Sequence, residues 1–223
     1  MLSLSKNRLV RVSENVFANM NNLISLDISH NKLIRFTLRL IQLKSLSTLN
    51  LSSNSLVKLM RHSFRGVSQL KTLDVSSNKI KRLESEAFSG LVALETLDMS
   101  ENELSSLAPH SFADLKQLRK LNLNQNRLVD LSLNALFGLS SLRSLCFKMN
   151  NLTHIKAEHF KGLSRLDDLN LASNQIRSVE SGSFRDAAAS LKSVTLSGNP
   201  MQRDSVSVKS LLKEYPLTNF KIF

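Results

Sequence analysis

Side chains capable of chemistry are present in this sequence, but they are scattered. The five histidines, His30, His62, His110, His154 and His159, recur at no common interval, and Cys146 has no second cysteine for a disulfide or a thiolate metal site. No metal cluster or general base is indicated. The six glycines form neither a phosphate-cradling loop nor a Gly-x-Ser-x-Gly elbow. The neighbouring carboxylates Glu84/Glu86 and Asp167/Asp168 read as solvated surface charge. The expectation is a protein without catalytic activity, cofactor or small-molecule substrate.

Two residue classes do recur. Asparagine stands at Asn7, Asn31, Asn54, Asn78, Asn102, Asn126, Asn150, Asn174 and Asn199, at spacings of 24, 23, 24, 24, 24, 24, 24 and 25 residues. A carboxamide carries donors and an acceptor together, so a stack of them can satisfy backbone groups where a chain turns. The ladder from Asn31 to Asn174 therefore reads as structural. The second class is basic. Arg11, Arg35, Lys58 and Arg82 share the slot four residues after the asparagine, and Arg8, Lys32 and Lys79 the slot one residue after it. Later repeats hold Ser106, Asp130, His154 and Ser178 in the first of these slots, so the stripe stops. Residues 1–82 carry 14 Lys and Arg against 3 Asp and Glu, and residues 83–223 carry 16 against 15. A stripe of this kind is either a solvated flank or a site for a polyanion, such as a sulfated glycan or nucleic acid.

The elements that must position these residues follow from the same period. LETLDMSENEL, Leu94 to Leu104, recurs with variation along the chain, which is the signature of a repeat solenoid. In Thr96 to Ser100, Leu97 and Met99 alternate with polar residues, so the spacing predicts a short strand with its apolar residues inward. Apolar residues two and five positions after each asparagine, and a phenylalanine at ten (Phe17, Phe64, Phe88, Phe112, Phe160, Phe184), predict an apolar spine under the return. Leu136 fills the spine slot in the sixth repeat; the second lacks a phenylalanine there, and Leu40 or Ile41 must replace it. Position twelve holds only Gly, Asn or Asp (Asn19, Gly66, Gly90, Asp114, Gly138, Gly162, Asp186), which predicts a positive-φ turn ending a short helical return. Repeats 2 to 5 present uniform outward pairs: Asp27/Ser29, Asn50/Ser52, Asp74/Ser76 and Asp98/Ser100. Repeats 6 and 7 break the pattern with Arg119, Lys120, Asn122, Asn124, Arg143, Cys146, Lys148 and Met149.

These registered copies make the chain resemble leucine-rich repeat proteins, within them the 24-residue "typical" class of animal ectodomains such as Toll-like receptors and small leucine-rich proteoglycans. The resemblance implies an α/β repeat solenoid: a right-handed superhelix with a parallel sheet on its concave side and short helical or irregular convex returns. The solenoid is expected over residues 1–200, with residues 201–223 as a C-terminal capping segment; Ser207 to Tyr215 has a helical apolar face of Val208, Leu211, Leu212 and Tyr215. Members of this class commonly bind on concave strands, which makes the repeat 6 and 7 residues the candidate contact surface for a protein ligand. The implied role is ligand recognition in a receptor, adhesion or innate-immune protein, on the cell surface or outside the cell. The cysteines expected in secreted caps are absent: Arg203 and Ser205 stand where they would fall. No apolar run approaches the roughly 20 residues of a membrane helix. MLSLSKNRL lacks the pattern of a signal peptide, so the chain reads as a fragment or as one lacking its N-terminal cap, with Leu2, Leu4, Leu9, Val12 and Phe17 at an open rim. The sequons Asn50-Leu51-Ser52 and Asn151-Leu152-Thr153 carry no weight as evidence of secretion.

Overall fold

The computed structural model describes all residues except 37–39, 202–208, 210, 212, 216–219 and 222–223. In chain order its strands are β1 (Leu2–Ser3), β2 (Ser25–Asp27), β3 (Thr48–Asn50), β4 (Lys58–Leu59), β5 (Thr72–Asp74), β6 (Arg82–Leu83), β7 (Thr96–Asp98), β8 (Lys120–Asn122), β9 (Ser144–Cys146), β10 (His154–Ile155), β11 (Asp168–Asn170), β12 (Ser178–Val179), β13 (Ser193–Thr195) and β14 (Phe220–Lys221). Ten of them form one parallel sheet in the order β1-β2-β3-β5-β7-β8-β9-β11-β13-β14. The register is set by the central apolar residue: Leu26, Leu49, Leu73, Leu97, Leu121, Leu145, Leu169 and Val194 are all buried, each flanked by more exposed neighbours. A one-residue slip would send the whole column to solvent, so register and core are fixed together. This is a parallel-strand solenoid, as the leucine pattern implies. The sheet continues past residue 200, because β14 pairs with β13 through Val194↔Phe220 and Thr195↔Lys221.

At the end of each strand the ladder asparagine joins two repeats. Asn102 Nδ2 donates to the carbonyls of Met99 (3.1 Å) and Ser100 (3.0 Å) in its own repeat and of Val75 (3.0 Å) in the preceding one. Its Oδ1 accepts from Ile80 N–H at 3.0 Å, again across the repeat boundary. Asn31, Asn54, Asn78, Asn126, Asn150 and Asn174 make the same cross-repeat bonds and are also buried. Reaching back in this way bends the chain at the residue before. Lys6, His30, Ser53, Ser77, Glu101, Gln125, Met149 and Ser173 all have φ between 51 and 58°. For residues other than glycine that region costs about 1–2 kcal/mol, and no β-branched residue occupies the column. Sequence reasoning missed this slot because its residue types look arbitrary.

The returns are stacked turns, not short helices; among the described residues the only helical return is the 3₁₀ turn Arg185–Ala187. Two additional two-stranded parallel sheets, β4-β6 and β10-β12, run along them. The expected positive-φ slot at position twelve needs correction. Gly66, Gly90, Gly138 and Gly162 have positive φ, but Asn19, Asp114 and Asp186 do not. The aspartates act differently: Asp114 Oδ2 accepts from Gly90 N–H (3.3 Å) and Asp186 Oδ2 from Gly162 N–H (2.7 Å), one repeat back. At Gly138 a side chain is doubly excluded, since φ is 95° and a Cβ would lie 2.5 Å from the Ala113 carbonyl oxygen.

Beneath the returns the spine is two aromatic runs. Phe36, Phe64, Phe88 and Phe112 follow one another at centroid separations of 5.3, 6.0 and 5.8 Å, and Phe160, Phe184 and Tyr215 at 5.6 and 5.7 Å. Leu136 separates them. In the irregular second repeat Leu40 is buried and Ile41 is exposed, and Phe36 supplies the ring that the spine position lacks. Tyr215 and Leu211 close the core at the C-terminal end, where the Glu214 carboxylate accepts from Gly182 N–H at 2.8 Å. Val208 and Leu212, expected on the same face, lie outside the described residues. At the other end Leu2, Leu4, Leu9 and Val12 pack partly buried against the core, whereas Phe17, expected at an open rim, is buried.

Candidate ligand-binding surfaces

The outer face of the long sheet is a set of columns, one residue per strand. In the third column Asp27, Asn50, Asp74, Asp98, Asn122 and Asn170 each use a side-chain oxygen to accept the N–H two residues on, at 2.9–3.1 Å. Cys146 interrupts that column. The amide it leaves, Lys148 N–H, turns instead to Asn124 Oδ1 of the preceding repeat at 2.8 Å. Serine, which holds this place in earlier repeats, is too short to reach. Asn124 and Cys146 are therefore one coupled departure from the pattern. Asn122 is likewise engaged, donating from Nδ2 to Asp98 Oδ2 at 2.9 Å. Burial, and secondarily the Asp168 carboxylate, pushes the Cys146 thiol above its usual pKa, so it is not poised as a nucleophile.

The other five candidates on this face project outward. Arg119, Lys120, Arg143, Lys148 and Met149 are exposed. Among the described residues Lys120 and Lys148 make no ion pair. Arg119 and Arg143 have only long ones, at 3.8 Å to Glu95 and 4.0 Å to Asp167. Met149 is 46% exposed and sits in the left-handed slot before Asn150.

The basic flank also lies at the surface. Lys58 on β4 and Arg82 on β6 are register partners, so these two fourth-position residues of the stripe stand side by side. Its two ends differ. Lys58 Nζ lies 2.9 Å from Glu84, whose carboxyl is held below its usual pKa by the Arg61 N–H and then by Lys58 itself. Arg8, Arg11, Lys32 and Arg35 are exposed, and none is ion-paired among the described residues. Lys79 is exposed two repeats beyond Lys32. The sequence reading did not register that Val10, Ile34 and Val57, at position three, are exposed between the basic columns. Val10, Arg11, Val12, Ile34 and Arg35 line a surface hollow of about 450 Å³.

The histidines do not converge, and no group of three or more His, Cys, Asp or Glu among the described residues could hold a metal ion. His159 is the one buried histidine. Its Nδ1 accepts from Lys156 N–H (3.3 Å), which leaves the proton of the neutral ring on Nε2, 3.7 Å from Asp130. Burial lowers its pKa. No helix among the described residues is long and apolar enough to cross a membrane.

Two family profiles match the chain: "Leucine rich repeat" over residues 44–104 and "BspA type Leucine rich repeat region (6 copies)" over residues 81–206. No curated protein matches it. Among solved structures, TLR13 in complex with ssRNA13 is 29% identical with a TM-score of 0.83, covering 97% of this chain and 31% of that one. The Drosophila Toll–Spatzle complex is 22% identical with a TM-score of 0.83, covering 95% of this chain and 28% of that one, and at that identity the likeness concerns the fold alone. The chain thus spans about a third of the length of the solved chains that it matches. With a profile matched over more than half its length and the leucine and asparagine columns stacked as described, the chain belongs to the leucine-rich repeat proteins.

Proposed function

We propose that this chain is the ligand-recognition part of an innate-immune or adhesion receptor, exposed outside the cell or in an endosome, and that it binds a protein ligand without catalysis. The contact surface is the outer face of β8 and β9. The observation that carries this reading is the change of character on one sheet face. Lys120 and Lys148 stand where earlier strands hold Thr and Ser, Met149 adds an exposed apolar side chain, and the column of Lys71 and Glu95 runs into two successive cations, Arg119 and Arg143. All five are exposed, and among the described residues none has an ion pair shorter than 3.8 Å. Arg and Met are enriched at protein interfaces. A photo-crosslinking residue at Met149 should capture the ligand, whereas the same residue at Ser77, in the equivalent slot of a uniform repeat, should not. Capture from Ser77 and not from Met149 would overturn the assignment.

A second reading has its own observation, the cations Arg8, Arg11, Lys32 and Arg35, none of them ion-paired among the described residues. In this reading the basic flank, with Lys58, Lys79 and Arg82, takes a sulfated glycan or a nucleic acid, the latter being the ligand class of the TLR13 complex. Reversing Arg11, Arg35, Lys58 and Arg82 to Glu should abolish salt-sensitive retention on heparin, because clustered phosphate or sulfate contacts are strongly linked to salt. Reversing Arg127, Lys161, Arg177 and Lys192 is the control. Equal loss from both sets means that only net charge is at work.

A further inference from the structure

One column of the sheet face carries charge that alternates from repeat to repeat, except at one step. Lys71, Glu95, Arg119, Arg143, Asp167 and Lys192 occupy it. Ion pairs link Lys71 to Glu95 (3.7 Å), Glu95 to Arg119 (3.8 Å), Arg143 to Asp167 (4.0 Å) and Asp167 to Lys192 (3.8 Å). Between Arg119 and Arg143 the alternation fails. Their backbones are joined directly, Arg143 N–H to the Arg119 carbonyl at 2.9 Å, so the two residues stand side by side just before β8 and β9, where neighbouring backbones lie about 4.8 Å apart. Both side chains are more than half exposed. Their acids lie beyond hydrogen-bond reach, so neither guanidinium donates to a described residue.

We infer that this step receives one carboxylate side chain, Asp or Glu, of a protein ligand. The inference rests on the reading of the β8–β9 face as the contact surface. A carboxylate entering between the arginines restores the alternation and can take N–H donors from both guanidinium groups, the geometry for which arginine is suited. Exposed Lys120 and Lys148 add positive potential nearby, and Met149 offers apolar contact of the kind a protein provides. The surroundings disfavour a nucleic-acid strand. Glu95 and Asp98 stand on one side of the step and Asp167 and Asp168 on the other. A polymer with a charge at every nucleotide would meet those carboxylates in either direction along the sheet, whereas a single side chain would not.

The test needs no identified ligand. Arginine side-chain Nε–H signals of the full chain are followed by NMR during titration with N-acetyl-glutamate N-methylamide, and separately with a uridylate decamer. Arg119 and Arg143 should shift saturably and more than any other arginine, and Arg143→Ser should weaken the capped glutamate at least about tenfold, as loss of one bidentate partner requires. Glu95→Gln should tighten it, an effect that a purely structural arginine would not produce. The decamer should fail to displace it. Shifts at Arg119 and Arg143 no larger than those at exposed Arg127 and Arg177, or displacement by the decamer at this step, would overturn the inference. If crosslinking from Met149 still captures a protein after such a result, only the carboxylate assignment falls and the contact surface stands.

Discussion

Strands β3, β5 and β7 share a backbone with β8 and β9, and the two regions differ almost entirely in what they hold out to solvent. In both, the central leucine is buried and the ladder asparagine bridges to the preceding repeat. In the first region the outward columns repeat Thr, then Asp or Asn, then Ser, and the Asp and Asn side chains bond to their own turns. In the second, Lys120 and Lys148 replace Thr and Ser, Met149 is exposed at the edge, and the column that holds Lys71 and Glu95 in the first region carries two cations in succession, Arg119 and Arg143. The contrast teaches that departure from a repeat pattern is not by itself a sign of function. Asn124 and Cys146 depart as visibly as Arg143 and Lys148, yet the Lys148 N–H to Asn124 bond makes them a structural substitution.

The ladder is where the two regions should behave alike, and it carries the largest expected effect. Asn102→Leu and Asn150→Leu should each cost about 1–3 kcal/mol in denaturant unfolding, because each leaves buried backbone groups without a partner. Glu103→Ala, removing only an ion pair to a largely exposed Arg127, should cost less than about 1 kcal/mol. A large difference between the two asparagine variants would mean that the regions do not share one architecture.

The Cys146 break should yield the next largest effect. Asn124→Ala should cost about 0.5–1.5 kcal/mol in the natural chain, the worth of one hydrogen bond. In a Cys146→Asp background it should cost almost nothing, because the introduced carboxylate would cap its own turn as Asp98 does. Additive costs would sever the coupling.

A smaller contrast is confined to acid. His159 occupies a column that holds Ser63, Ala87, Ser111, Ala135 and Ser183 elsewhere, so only the return of repeat 7 buries an imidazole. Its folded pKa lies below the usual 6.5, and the unfolded chain therefore binds the extra proton first. The stability of this region is complete above that value and declines as the pH falls below it. The Asp130 carboxyl, lowered by Lys156 and Leu131 N–H against the opposing effect of burial, loses its contribution only below 3.8, a separate window. Hydrogen exchange should thus show the return of repeat 7 loosening on mild acidification while that of repeat 4 stays closed, and His159→Gln should remove the difference.

Much of this architecture is legible from residue spacing, because a column of identical roles leaves a column of similar residues. Buried leucines, ladder asparagines and spine phenylalanines are all required by type and so can be read. The left-handed column before each asparagine is not legible: Lys6, His30, Glu101 and Met149 share a backbone angle and no side-chain property. Position twelve misleads for the converse reason. Glycine supplies positive φ there, whereas Asp114 and Asp186 supply a carboxylate to a neighbouring glycine amide. At the candidate surface the sequence marks which residues break the pattern. Only the hydrogen bonds separate those serving the sheet, such as Asn122 and Asn124, from those free to meet a ligand.

The central claim, that the β8–β9 face is the contact surface, is tested most directly by the dissociation constant of the captured protein ligand for two paired variants. Arg143→Ala with Lys148→Ala should weaken binding at least about tenfold, as truncating interface anchors does, with the melting temperature unchanged. Ser52→Ala with Ser76→Ala, on the uniform strands, should leave the constant as it was. Weakening by the serine pair, with the Arg143/Lys148 pair binding normally, would contradict the account and move the ligand toward the N-terminal repeats.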